Sequence, residues 1–255
     1  MRLEIRNVSH TFGDLSVLNN VDFTVDSGDV VALIGPSGCG KSTLLQIVGG
    51  LLAPTSGQVF QRGLVPDGCL NPLTYVFQDF ALLPWRTVEG NIRLVLSDHG
   101  LGRAEVDRRV DAVLEQTSLS EFRTAFPKQL SGGMRQRVGI ARALAVSPAV
   151  LLMDEPLSAL DAQTRSILME EFVDLFQRTG ITCIYVTHNL NEAVRLADRV
   201  IVLSRRPGEI KDVIEIPVPL TQRQEEGHGL SAIHDRMWQM IRHEAIQADK
   251  ELANA

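Results

Sequence analysis

Apolar and polar residues alternate through Leu3 and Ile5, and again through Val21, Phe23 and Val25. A period of two belongs to a strand with one buried face, so the N-terminal stretch predicts an antiparallel layer. Ser27, Gly28 and Asp29 make a turn. Val30, Val31, Ala32, Leu33 and Ile34 are then apolar without interruption, the mark of a strand covered on both faces. Residues 35–40 break that run, and 41–48 read as a helix. Short strands follow at Val59-Phe60 and Tyr75-Val76-Phe77. From about 80 to 145 the period turns helical: Val106, Val110, Val113 and Leu114 fall on one face, and Val138, Ala141, Leu144 and Ala145 on another. Strands return at 150–153, 181–186 and 200–203, and Leu168, Phe172, Leu175 and Phe176 line a helix within that stretch. Ile210, Ile214 and Ile216 predict a late strand. Ile233, Met237, Met240 and Ile241 predict a closing amphipathic helix.

Strands alternating with helices imply an α/β core with a mainly parallel sheet. The helices between Gln78 and Val150 imply a helical subdomain. The expected division is therefore a main domain over 1–220, its helical subdomain at about 80–148, and a linker and helix over 221–255. Arg223 to His228 is polar and reads as the linker; the last helix either packs on the domain or covers a partner. Composition narrows the class. The chain has 255 residues, 44% of them hydrophobic, enough for a sizeable core. Its 31 acids against 25 bases give a net charge of −6, so no nucleic-acid partner is expected. Cys39, Cys69 and Cys183 are few and scattered, which fits a reducing compartment and no metal cluster. No run approaches the length of a membrane span, and the N-terminus lacks a signal-peptide pattern.

Three segments carry chemistry. Gly35, Pro36, Ser37, Gly38, Cys39, Gly40, Lys41 and Ser42 fit G-x-x-x-x-G-K-[ST] between a buried strand and a helix, with Thr43 following. The glycines let backbone N–H groups close around phosphate oxygens, and the helix start adds partial positive charge. Lys41 would reach the β- and γ-phosphates of ATP, and the Ser42 hydroxyl would sit on Mg²⁺. Second, an apolar strand delivers Asp154 and Glu155 at its C-terminal end, where ligands bind in open α/β sheets. Taken alone, the pair reads equally well as a helix N-cap. Beside a phosphate loop, Asp154 is expected to hold Mg²⁺ and Glu155 to act as general base on the attacking water. Third, Gln129 to Arg137 reads QLSGGMRQR. It places paired glycines and basic residues at a helix start where the dipole favours acids. Ser131, Gly132 and Gly133 look like an anion site.

With these in order and spacing, together with Gln78 after a strand, "SALD" ending at Asp161 and His188 after a strand, residues 1 to about 215 resemble the ATPase subunit of ATP-binding cassette transporters. The resemblance implies a P-loop NTPase in which two copies pair head to tail. Ser131, Gly132 and Gly133 would then face the γ-phosphate held by a second copy's loop. It also implies that Phe12 stacks on adenine, although Phe12 alone reads also as a core aromatic. Gln78 would sense Mg²⁺ and water, His188 would contact the γ-phosphate, and Asp161 would position the opposite site. The basic residues near Ser131 would be explained in part by contacts across the dimer. Two positions depart from the family pattern. Met134 stands where Gln is usual, and Asn189 where Asp is common.

"LLPWRTVEGNI" and "LSRRPGEI" look similar to importers of the nitrate, sulfonate and taurine group. That group pairs its ATPase with an integral membrane permease and, indirectly, a periplasmic solute-binding protein. The expected place is the cytoplasmic face of the inner membrane, bound peripherally. Residues 79–92 read equally as packing within the subdomain or as a groove for a permease helix. The competing classes are a soluble cassette ATPase of repair or translation, a nucleotide-binding regulator that does not hydrolyse, and an exporter subunit.

Overall fold

The computed structural model describes residues 1–223 and 230–253, with backbone alone at 245 and 247–253. Beyond Arg223, the expected linker lies outside the described residues. Two compact units emerge: one comprises Met1–Leu64 and the chain from Met169 onward, the other Val65–Leu168.

In the first unit, β1 (Arg2–Phe12) pairs antiparallel with β2 (Leu15–Val25) and with β4 (Ser56–Arg62). Leu3, Ile5, Val8, Val21 and Val25 are fully buried, so the alternation does seat one face in the core. β1 is longer than its clearest alternation, because register shifts between Ile5 and Thr11 let the strand bend and keep pairing. β3 (Val30–Ile34) is buried at every position and runs parallel to β7 (Thr182–Val186) and β8 (Arg199–Leu203). β9 (Ile210–Glu215) closes that edge antiparallel to β8. The helices of this unit are α1 (Lys41–Val48), α6 (Leu190–Leu196) and α7 (Leu230–Ala253). Met237 anchors α7 and is fully buried.

In the second unit, β5 (Leu73–Val76) runs parallel to β6 (Val150–Asp154). Around them are α2 (Val88–Leu94), α3 (Arg103–Gln116) and α4 (Gly132–Leu144). α5 (Ala162–Thr179) leads out of this unit into the first. Buried Arg109 ties α3 to two loops: it donates to Gly68 O at 2.8 Å, to Ala145 O at 3.2 Å and to Ser147 Oγ at 3.0 Å. Asn91, fully buried, accepts from Leu83 N at 2.8 Å and donates to the carbonyls of Leu83, Arg86 and Thr87. One amide side chain thus fixes the turn before α2 by saturating its backbone.

Candidate functional site

Sheet register decides where the expected residues go. In the first unit Leu33 pairs with Val186, so Gly35 and His188 stand at one level past the C-terminal ends of neighbouring strands. Thr187 N reaches Leu33 O at 3.3 Å and holds that junction. Gly40 caps α1 at φ 104°, a left-handed conformation that glycine adopts without strain. Space enforces the choice: a Cβ there would lie 2.7 Å from Leu18 Cδ2 and 3.1 Å from Val17 Cγ1. α1 carries no side-chain cap and no acid in its first turn, a helix start that suits an anion. Lys41 is buried and donates to Gly35 O and Pro36 O, both at 2.9 Å. Those carbonyls hold the ammonium within the loop. Burial pushes the Cys39 thiol up against the pull of Lys41, 3.8 Å away. Ser37, Gly38 and Ser42 are exposed. Phe12 is 51% exposed, so it is no core aromatic, and the ring of His10 packs edge-on against it at 4.5 Å.

His188 is exposed just beyond β7. Its support was not legible beforehand. Buried Glu192 accepts from Thr187 Oγ1 at 2.7 Å and from Tyr185 OH at 2.9 Å, pinning the strand end that presents the histidine. Asn189 caps α6, accepting from the backbone N–H groups of Asn191 and Glu192. Asn serves that cap as well as Asp, so the departure from the family pattern has a local rationale.

The second unit repeats the arrangement. Val76 pairs with Met153, which sets Gln78 and Glu155 at one level past β5 and β6. Gln78 Nε2 donates to Ser158 Oγ at 3.3 Å, and Ser158 Oγ donates to Glu155 O at 2.8 Å. Asp154 Oδ2 accepts from Tyr75 OH at 2.9 Å. Burial, then the Asp154 carboxylate, push the Tyr75 phenol up, so it remains a donor. Glu155 has φ 45°, uncommon for a residue with a side chain and a form of strain that clusters at working sites. The N-cap alternative for the acidic pair does not hold. Both residues precede a turn, and Asp161 is the residue that caps α5, through Thr164 N at 2.9 Å and Thr164 Oγ1 at 2.7 Å. Those two bonds hold the Asp161 carboxyl below its usual range.

Ser131 is the N-cap of α4, exposed, and accepts from Met134 N at 3.2 Å. α4 has no acid in its first turn. Gly133 has a packing role as well, since a Cβ there would sit 2.5 Å from Thr164 Cγ2. Two basic residues of α4 have partners within this unit. Arg135 lies over the Phe80 ring at 5.6 Å, and Arg142 donates to Ala81 O at 2.6 Å and Phe80 O at 3.2 Å. The 79–92 segment divides. Val88, Asn91 and Ile92 are buried, whereas Trp85 is 70% exposed.

An α/β fold that carries a phosphate-binding loop and a strand ending in paired acids defines a nucleoside-triphosphatase. The family profile described as ABC transporter matches residues 18–158. An aliphatic sulfonates import ATP-binding protein, SsuB, of Bacillus thuringiensis is 44% identical over 219 residues, 84% of this chain and 86% of that one. A spermidine/putrescine import ATP-binding protein, PotA, of Pseudomonas aeruginosa is 43% identical over 216 residues, 84% of this chain and 60% of that one. Among solved structures, the cassette MJ0796, in a dimeric post-hydrolysis state with ADP and Pi, superposes with a TM-score of 0.72 at 32% identity. It covers 85% of this chain and 100% of that one. The chain belongs to the ABC transporter family and is its ATP-binding, ATP-hydrolysing component. No described helix is long and apolar enough to cross a membrane.

Proposed function

We propose that this chain energises import of a small anionic solute, of the nitrate, sulfonate or taurine kind, through an integral membrane permease fed by a solute-binding protein. It would work as a head-to-tail pair on the cytoplasmic face of the membrane. The observation that carries the pairing is the start of α4. Ser131 is solvent-facing, the turn is free of acids, and the hydroxyl keeps its proton to donate after capping Met134 N. Such a start suits a phosphate presented from outside the chain. Exposed Trp85, beside the strained Ala81 (φ 46°), marks the docking face for a permease helix. Import is supported by the names of the sulfonate and polyamine relatives alike. The anion is favoured by the LLPWRTVEGNI and LSRRPGEI segments.

Within each copy, the Gly35–Thr43 backbone and Lys41 hold the ATP phosphates, with Phe12 under the adenine. Glu155 takes the proton of the attacking water, Gln78 and His188 orient it, and Asp161 steadies the facing site. Ser42, Gln78 and Asp154 offer hydroxyl, amide and carboxylate oxygens, a donor set that fits Mg²⁺. When bound, Mg²⁺ supplies charge neutralisation at the phosphates. Hydrolysis rests on positioning and electrostatics, to which Lys41, His188 and the second copy's Gly132 and Gly133 amides contribute.

Glu155→Gln tests this reading. The variant should bind ATP, lose turnover by about 10²–10⁴-fold, the range of a general base, and elute as a dimer with ATP. Normal turnover would remove Glu155 from that role. A deletion strain that keeps taurine and nitrate uptake but loses putrescine uptake would overturn the anion assignment. Full activity in the soluble fraction with no membrane partner would favour a non-transport ATPase.

A further inference from the structure

We propose that Glu244, on the C-terminal helix and far along the chain from any ATP-site residue, is a positioning residue for the phosphate loop. The link runs through the segment between β8 and β9. The Glu244 side chain is buried, only 7% exposed. Its Oε2 accepts from the backbone N–H of Arg205 at 2.9 Å and lies 3.6 Å from the Arg205 guanidinium. Its Oε1 lies 3.6 Å from Lys211 Nζ. One carboxylate therefore clasps both ends of the turn that joins the two strands.

That turn is stiff. Ser204 Oγ lies 2.9 Å from Arg205 O and 3.1 Å from Pro207 O, and accepts from Glu209 N at 2.9 Å. Ser204 N donates to Glu209 O at 2.8 Å. At its tip is Gly208, seated on the phosphate loop itself. A Cβ at 208 would fall 2.2 Å from Cys39 O. Gly208 N donates to Val17 O at 2.8 Å and Gly208 O accepts from Asn19 N at 3.0 Å. Val17 and Leu18 are the residues that crowd Gly40 at the start of α1, and Leu203 O is 2.9 Å from where a Cβ on Gly35 would be. The turn thus backs the loop from Gly35 to Gly40, and Glu244 holds the turn.

Glu244 also lines an open groove of about 360 Å³ with Val202, Lys211, Gln239, Met240 and His243. Polar anchors fix the turn beside that groove, and a buried carboxylate bonded to a backbone N–H is a strong one.

The proposal rests on the reading that residues 35–43 hold the ATP phosphates, so the experiment includes Lys41→Ala. Binding of a fluorescent ATP analogue, ATPase kinetics and thermal melting are measured on the whole chain. Glu244→Ala should weaken ATP affinity and raise KM by about tenfold, the factor for losing one charge-assisted hydrogen bond. kcat at saturating ATP should stay within about twofold, the pattern of lost ground-state binding. Glu244→Gln keeps an acceptor for Arg205 N–H and should recover most of the affinity. Gly208→Ala, which disturbs the same turn without touching α7, should raise KM in the same way; it serves as the test should Glu244→Ala not fold. Wild-type ATP affinity in Glu244→Ala, with Lys41→Ala defective, overturns the proposal and leaves the loop reading standing. Wild-type affinity in Lys41→Ala overturns the loop reading and the proposal together. A fall in kcat matched by a fall in melting temperature, with no rescue by Gln, reduces Glu244 to a structural residue and also overturns it.

Discussion

Gly133 sits in a helix that has two uses for it, and one pair of substitutions separates them. A methyl at 133 would lie 2.5 Å from Thr164 Cγ2, well inside contact distance, and 3.8 Å from Leu168 Cδ1. Overpacking of that kind costs about 1–3 kcal/mol. Replacing glycine by alanine within a helix returns about 1 kcal/mol. Gly133→Ala should therefore destabilise by about 1 kcal/mol net, a fall of about 2–4 °C in melting temperature for a chain of this size. Thr164→Ser removes the offending methyl yet keeps the hydroxyl bonded to Asp161 Oδ2 at 2.7 Å. Alone it should cost about 0.8 kcal/mol, the worth of one buried methyl group. Together, the two changes should melt close to wild type, a coupling that a double-mutant cycle reads directly. ATPase activity then decides the second use. If the 133 amide faces a phosphate on another copy, the added methyl obstructs it whatever the stability, so the double variant should be as stable as wild type and still poor in turnover. Full turnover in the double variant would reduce Gly133 to a packing residue and refute its place at the shared site. A double variant no more stable than Gly133→Ala would refute the steric account itself.

Asn91→Ala should destabilise by about 2–3 kcal/mol, because Leu83 N and three carbonyls lose their buried partner; hydrogen exchange at 83–87 should quicken more than elsewhere in the unit. Tyr75→Phe should leave the fold intact but remove the hydrogen bond to Asp154 Oδ2, and the Mg²⁺ concentration needed for half-maximal ATPase should change by a few-fold, whereas no change would remove Tyr75 from Asp154's support. Hydrogen bonds from Arg108, then Arg109, hold the Glu105 carboxyl at about 2. A carboxylate whose folded value is depressed stabilises fully above its unfolded value of about 4.3 and loses that contribution as pH falls toward the folded value. Protection factors at the start of α3, measured against the intrinsic exchange rate at each pH, should therefore fall between about pH 4.5 and 2 in the wild type, and Glu105→Gln should flatten that fall.

The strands and most helices were legible because their burial is one-sided or complete, and periodicity reports that directly. β3 is buried at every position and reads as a continuous apolar run, and β7, equally buried, departs from one only at Thr182. The phosphate loop, the Asp154-Glu155 pair and the LSGGM start were legible because each needs particular residue types at fixed spacing. What escaped is what depends on distant segments meeting. Nothing near Glu192 says that Tyr185 and Thr187 will converge on it, and nothing near Asn91 says that it will bind four backbone groups. Nor does the sequence say that Arg135 will lie over the Phe80 ring, or that Arg142 will hold the Phe80 and Ala81 carbonyls, groups more than fifty positions upstream that become neighbours only after folding. The length of β1 escaped too, since its register shifts interrupt the alternation.

The guanidinium groups of α4 on Phe80 and Ala81 also have a mechanical meaning. Arg142 is near the tail of a helix whose head is Ser131, and a helix of 13 residues is a rod of about 20 Å that transmits thrust without compressing. Tugging the backbone at residue 80 therefore moves the glycine pair at the rod's other end. A tethered probe at Trp85 and a reporter at Ser131 should shift in step, and cutting both tethers with Arg135→Met and Arg142→Met should leave each to move by itself.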